Sequence, residues 1–198
     1  MTRFVLATHN QHKVDEFEAI LSARVADFEL ETYDGPEPIE DGETFAANAL
    51  IKARAAAAHT RLPALADDSG LAVDALDGAP GIRSARWAGE PKSDRRNLEL
   101  VLEQMAHVPD DKRQAAFVCC IAVAYPATDE GPGVEFTVEA RWPGTLTREA
   151  HGANGFGYDP IFIPEGMSVT SAEMAPDEKN AQSHRARALA LLAQRLAG

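Results

Sequence analysis

Leu65-Ala66-Asp67-Asp68-Ser69-Gly70-Leu71-Ala72-Val73 places two adjacent carboxylates and a hydroxyl between short apolar runs, with a glycine directly after them. Apolar residues on both sides read as buried β-structure. An acidic pair in such a strand needs a partner, because burying an unpaired carboxylate is costly. Two readings meet that need. A divalent cation such as Mg²⁺ takes hard oxygen ligands, only one or two of them protein carboxylates. Alternatively, Asp67, Ser69 and Gly70 form a hydrogen-bonded turn with purely conformational duties.

Upstream, Arg3 to Ala7 reads as a first strand. Thr8-His9-Asn10-Gln11-His12-Lys13 follows, then a helix with Val14, Phe17 and Leu21 on its apolar face. A polar strand-to-helix turn favours phosphate through its backbone N–H groups and the helix dipole, and Lys13 adds a full charge. An ordinary capped helix start accounts for Thr8 and Asn10 equally well. The pattern G-x-x-x-x-G-K-[ST] occurs nowhere, so this is no Walker A loop. Val25 to Tyr33 reads as a second strand, and Gly35-Pro36-Glu37-Pro38 as a stiff loop. Thr44 is the expected N-cap of an alanine-rich helix running to about His59, which carries Asn48 and Lys52 on one face. Acidic residues at 40 to 43 suit the start of that helix, and this dipole effect is the plain role open to Glu40.

Downstream, Asp77 to Trp87 holds too many breakers for regular structure and reads as an exposed functional loop. Ser93 caps a helix whose core face carries Leu98, Val101, Leu102 and Met105. Gln114 to Tyr125 is expected to be a central strand, with Val134 to Trp142 as its antiparallel partner and a loop through Gly131-Pro132-Gly133. Cys119 and Cys120 are neighbours within that strand and face opposite ways, which predicts two buried free thiols. His151-Gly152-Ala153-Asn154-Gly155-Phe156-Gly157-Tyr158-Asp159-Pro160 sets three glycines around two aromatics. Such a segment lets backbone approach a flat ligand, with Phe156 or Tyr158 stacking on it, or else forms a turn with aromatic packing. Ile161 to Ile163 is a short strand. Ser183 is the expected N-cap of a last helix bearing Leu189, Leu192 and Leu196. His184 and Arg185 then fall in its first turn, where cations are disfavoured unless an anion lies nearby.

A length of 198 residues suits one domain with two lobes over residues 1–198. The formal charge of -12 argues against a nucleic-acid polymer as partner, which calls for a basic footprint, but leaves room for a small polyanion. No apolar run is long enough to cross a bilayer, and a cytoplasmic location is the expectation.

The ordered set T-x-N-x-x-K at 8 to 13, E-x-G-x-T-F-x-x-N-A-x-x-K-A at 40 to 53, A-D-D-S-G-L at 66 to 71, G-A-P-G-I-x-S-A-R at 78 to 86, G-F-G-Y-D-P at 155 to 160 and S-H-R at 183 to 185 resembles the inosine triphosphate pyrophosphatase family. The resemblance implies an α/β fold of two lobes around a long mixed β-sheet flanked by helices, with the active site in the cleft between lobes. It implies a homodimer that uses Mg²⁺ to split ITP, dITP or XTP into the nucleoside monophosphate and pyrophosphate. By position, Asp68 would be the catalytic base and, with Glu40, hold the metal. Thr8, His9, Asn10, Gln11, His12 and Lys13 would bind the phosphates, with Lys52 near them. Ser69, Phe156, Gly157, Tyr158, Asp159, Lys179, His184 and Arg185 would line the substrate site. The chain departs from the family pattern at His9, where many relatives have Gly, and at Ala47, where many have Glu. An enzyme for modified pyrimidine triphosphates and a non-catalytic nucleotide binder are the alternatives. A phosphatase with an aspartate nucleophile fits poorly, because its D-x-D spacing is absent at 67 to 70.

Overall fold

A computed structural model describes residues 2–128, 131 and 133–197. Pro132, part of the expected 131–133 loop, lies outside them, as does the side chain of His12. Strands β1 (Thr2–Leu6), β2 (Phe28–Thr32), β3 (Ala64–Val73), β4 (Gln114–Ala124), β5 (Glu135–Leu146) and β6 (Phe162–Pro164) form one sheet in the order β2-β1-β3-β4-β5-β6. The sheet is mixed: β1 runs parallel to β2 and β3, whereas β5 and β6 are antiparallel. Helices α1 (Gln11–Ser22), α2 (Phe45–Thr60), α3 (Asp94–Gln104), α4 (Pro176–Gln182) and α5 (His184–Ala197) complete an α/β fold. No helix among the described residues is long and apolar enough to cross a membrane.

The chain divides into two compact units: Met1–Asp68 with Cys119–Ala140 and Ala186–Gly198, and Ser69–Val118 with Arg141–Arg185. The first unit shows the strand period of two plainly. Phe4, Leu6, Leu65, Ile121 and Val123 join Val14, Phe17 and Leu21 of α1 and Leu189 and Leu192 of α5 in one core. The intervening Val5, Ala64, Ala66, Ala122 and Ala124 face the other way and pack on Ala49, Ala53, Ala56 and Ala57 of α2. Both of those surfaces are made of small side chains, so α2 can lie close against the sheet. Thr44 caps it by accepting a hydrogen bond from Ala47 N at 3.1 Å. Cys119 and Cys120 are free and buried, as their neighbouring positions on a central strand imply. Burial pushes the Cys120 thiol up to about 11, which leaves it protonated and inert.

The second unit buries Leu71, Val73, Leu98, Val101, Met105, Phe117, Trp142, Ile161 and Phe162 together. Ser93 caps α3 as its sequence predicts, accepting from Arg96 N. Arg113 is buried, and its guanidinium donates to the carbonyls of Met105, Val108, Leu146 and Thr147, which ties the end of α3 to β5. Two local expectations need correction. The 77–87 segment is not an irregular exposed loop: Gly81–Arg86 forms a 3₁₀ helix with Ser84 buried. The Ser84 hydroxyl accepts from Leu71 N at 2.9 Å and donates to Gly81 O at 2.7 Å, and these two bonds tack the segment onto β3. The residues before Ser183 are also a helix, α4, with Pro176 opening it and Asp177 and Glu178 in its first turn. Those residues are favourable there, and the pattern was readable in advance.

Candidate functional site

In the first unit, α1, the loop before α2, α2 itself and β3 bring together charged residues that are far apart in the chain. Asp67 and Asp68 are consecutive on β3. Asp67 is 4% exposed. Its two carboxylate oxygens accept from Lys13 Nζ at 2.8 and 3.0 Å. Asp68 Oδ2 accepts from Asn48 Nδ2 at 3.2 Å, and Lys52 Nζ lies 3.7 Å from Asp68 Oδ1. Lys52 also donates to Glu40 Oε2 at 3.1 Å. The one-face spacing of Asn48 and Lys52 therefore delivers an amide and an ammonium group to the same carboxylate. Asn48 itself is buried, and its Oδ1 accepts from Gly42 N at 2.9 Å, which holds the acidic turn against α2. A side chain at Gly42 would run into Asn48 and Ala47, so the close approach needs the glycine.

A cavity of about 160 Å³ opens among Thr8, Lys13, Tyr33, Glu37, Pro38, Glu40, Lys52 and Asp67. Burial raises the Asp68 carboxyl above its ordinary range; Lys52 and the Asn48 hydrogen bond pull it back down, and the nearby Glu40 and Asp67 charges push it up again. A carboxylate so placed is a better proton acceptor than an exposed one. Among the described residues no three His, Cys, Asp or Glu side chains gather into a metal-ligand set.

The remaining residues expected at the phosphates lie differently. His9 places Nε2 3.2 Å from Gly35 O and stacks on Tyr33 at 5.9 Å between ring centroids. Gln11 donates to Asp15 Oδ1 within its own helix, at 2.8 Å. Asn10 offers its carbonyl to Lys13 N and Val14 N, and its own N–H donates to Thr8 Oγ1 at 3.2 Å, so helix capping and phosphate binding both remain open to Thr8 and Asn10.

In the second unit a cavity of about 150 Å³ is lined by Ser69, Gly70, Leu71, Ser84, Ala85, Asp94, Asn97, Phe117, Phe156, Gly157, Tyr158, Asp159, Lys179, His184 and Arg185. All eight residues expected on the substrate side stand in this lining. Asp159 organises it. It is 3% exposed; Oδ2 accepts from Phe156 N at 2.9 Å and from Lys179 Nζ, and Oδ1 accepts from Ser171 Oγ at 2.8 Å. Gly155 has φ +75°, and a Cβ there would collide with the Asp159 carboxylate, so glycine is required on two counts. The two aromatics differ in exposure. Tyr158 is buried and donates its hydroxyl to Ser84 O at 2.8 Å, while Phe156 is 68% exposed with Lys179 Nζ 5.3 Å from its ring centroid. The His184 ring stacks on Phe117, centroids 5.0 Å apart and 16° from parallel. Of Phe156 and Tyr158, Phe156 is the ring exposed to solvent.

Three residues of these sites are unmarked in the sequence: Asn48, which stands out there only as a neighbour of Lys52 on the helix, Asp94 and Asn97. Asp67 belongs to the acidic pair that the sequence does mark, and Lys13 is its partner. Asp94 accepts from Gly157 N at 3.0 Å, and Asn97 is buried and accepts from Ala88 N at 2.7 Å. Asp94 and Asn97 sit three apart at the start of α3, a spacing that marks one helix face, yet nothing local distinguishes them from capping residues.

The sequence model of the Ham1 family matches residues 4–195. A dITP/XTP pyrophosphatase of Leifsonia xyli is 54% identical over 97% of this chain and 94% of its own length. Among solved structures, a HAM1 protein from Coxiella burnetii superposes with a TM-score of 0.90 at 42% identity, covering 99% of this chain and 98% of that one. The Ham1 protein of Staphylococcus aureus gives 0.88 at 36% identity, with 98% of each chain covered.

Proposed function

The chain belongs to the Ham1 family, and from that premise we propose that it hydrolyses non-standard purine nucleoside triphosphates to the monophosphate and pyrophosphate. Its substrates are dITP, ITP and XTP, and the activity clears them from the nucleotide pool. The observation that carries this reading is the meeting of Glu40, Asp68, Lys13 and Lys52 in one unit, drawn from separate segments of the chain. Phosphate chemistry falls to these residues, and base recognition to the cavity of the second unit.

Asp68 acts as general base. It takes a proton from a water whose oxygen forms a bond to the α-phosphorus, while the bond from that phosphorus to the β-phosphate oxygen breaks and pyrophosphate departs. Thr8, Lys13 and Lys52 hold the phosphate oxygens and offset their charge. The donor set suits Mg²⁺: Glu40 and Asp68 offer hard carboxylate oxygens, and the repulsion they and Asp67 exert on one another is relieved by a cation. Bound there, Mg²⁺ would neutralise charge developing on the leaving pyrophosphate. The family resemblance extends the reading to a homodimer and a cytoplasmic location, neither of which enters the chemistry.

Base selection rests on hydrogen-bond polarity. Hypoxanthine and xanthine present a 6-keto acceptor where adenine has an amino donor. A donor aimed at that atom, from Arg185, His184 or the backbone of 155–159, accepts the former and faces donor to donor with the latter. Sites built for one such bond discriminate by as much as about 10⁴–10⁵-fold. GTP shares the keto group, so its exclusion depends on pocket shape around the 2-amino group.

The test is purified protein with dITP, XTP, ITP, ATP and GTP, with and without Mg²⁺, scoring pyrophosphate against orthophosphate. Pyrophosphate from the first three in the presence of Mg²⁺, with little from ATP, is expected; orthophosphate as first product, or equal rates on ATP, overturns the reading. Arg185→Ala is expected to lower the dITP-to-dATP ratio of kcat/KM by about 10- to 100-fold, the worth of one charged hydrogen bond. An unchanged ratio would leave base reading to His184 and the backbone.

A further inference from the structure

Three carboxylates in the first unit face two ammonium groups. Lys13 is committed to Asp67 through both carboxylate oxygens. Lys52 serves the other two, 3.1 Å from Glu40 Oε2 and 3.7 Å from Asp68 Oδ1, with its side chain only 16% exposed. Among these five groups the negative charges outnumber the positive by one. Glu40 and Asp68 are the pair assigned above to Mg²⁺, and they already share a cation, one covalently attached to α2.

The ammonium group and a metal ion compete for those oxygens. Mg²⁺ binds oxygen ligands at about 2.0–2.1 Å and demands near-octahedral surroundings. An ion in contact with both carboxylates needs the volume and the lone pairs that the Lys52 head group holds. We propose that Lys52 is the place-holding cation of the metal site, released only when substrate phosphate draws its ammonium away, so that the divalent cation enters with the nucleotide and not ahead of it. This inference rests on the reading of Glu40 and Asp68 as the metal-associated pair.

The physical logic has three steps. Asp68 is largely buried and Glu40, half-buried, lies beside the same ammonium, so this pair is costly to leave without a cation whether or not metal is bound. Lysine suits the part because its charge is a compact point on a flexible four-carbon stem, able to swing without moving the helix. A triphosphate brings the acceptor oxygens that compensate the ammonium for what it gives up, and it leaves Glu40 and Asp68 free to ligate metal. Metal affinity is thereby coupled to nucleotide, and by linkage the metal must strengthen nucleotide binding by the same factor.

The experiment measures Mn²⁺ binding to nucleotide-free protein by calorimetry and by loss of the free-ion paramagnetic signal. Wild type is expected to bind weakly, and Lys52→Met to bind about tenfold more tightly or better, within the usual range of such couplings. Lys13→Met removes the same charge from the same cavity and is expected to give a clearly smaller gain, because Lys13 holds Asp67 and not the metal-associated pair. A purine triphosphate with a methylene group bridging its α and β phosphorus atoms should tighten Mn²⁺ binding in wild type and do little more in Lys52→Met. Circular dichroism checks the fold, and Lys52→Gln replaces the methionine variant if that one unfolds. Unchanged or weaker Mn²⁺ binding in the Lys52 variant, or an equal gain in Lys13→Met, overturns the proposal. None of these readouts uses turnover. A protein that releases pyrophosphate from dITP yet shows no tightening refutes the place-holder alone, whereas one that releases none refutes the functional reading beneath it.

Discussion

Asp68→Asn is expected to lower kcat by about 10³-fold, the usual worth of a general base, and to leave the protein at least as stable as wild type near neutral pH. The second half of that expectation follows from the carboxyl's surroundings. Burial is the largest influence on Asp68 and raises its folded pKa above the unfolded value, with Glu40 and Asp67 adding to the effect against Lys52 and Asn48. A group whose folded pKa is raised contributes stability below its unfolded pKa and loses it as pH rises through the folded one. At neutral pH the ionised Asp68 is therefore no asset to folding, and a neutral amide in its place removes the penalty. The same shift fixes the sign of the pH profile. The acid limb of activity set by this residue should lie above the ordinary aspartate range, and carbon-13 titration of the Asp68 carboxyl should give a midpoint on the same side. A near-normal kcat in Asp68→Asn, or a midpoint below the usual range, would discard the assignment as base.

Asp159→Ala is the second large effect, and it strikes stability and substrate binding together. The Asp159 carboxylate accepts from Phe156 N, Lys179 Nζ and Ser171 Oγ, and both it and Lys179 are largely shielded from water. Removing one partner of such a pair strands the other, at about 3–5 kcal/mol. Denaturant unfolding should register that loss. KM for dITP should rise as well, because the loop loses the bond that holds Phe156 N and the partner that places Lys179 beside the Phe156 ring. Asp159→Asn separates the contributions: its single carbonyl oxygen can still accept from Phe156 N, its amide N–H group faces the Ser171 hydroxyl in place of the second acceptor, and the charge facing Lys179 is gone. It should recover part of the stability while its KM stays raised. Equal stability of wild type and Asp159→Ala would show that the pair contributes nothing net.

Much of the architecture was legible because its signals are local. The i, i+3, i+7 spacing of Val14, Phe17 and Leu21 announced α1, and all three are buried. Thr44 and Ser93 each stood before an apolar-periodic run, and each accepts the N–H bond that a cap must accept. The run from Ala115 to Ala124 is buried throughout, as an interior strand requires. Where local chemistry pointed two ways, reading failed or stayed open. Gly78, Pro80 and Gly81 looked like an exposed loop because nothing nearby reveals that the Ser84 hydroxyl will find Leu71 N, thirteen residues back along the chain.

The sequence by itself determined the elements, their order, the family pattern and the identity of the charged residues, since period, capping and turn chemistry act over a few residues. Only the tertiary structure decided which charge answers which: Lys13 to Asp67, Lys52 to Glu40 and Asp68, Lys179 to Asp159. It also decided that Tyr158 turns inward to Ser84 while Phe156 faces out. The reason is that ion pairs and ring exposure depend on distances through space. Those distances were set by packing surfaces, such as the alanine face of α2 on the small residues of the sheet, that belong to segments remote in the chain.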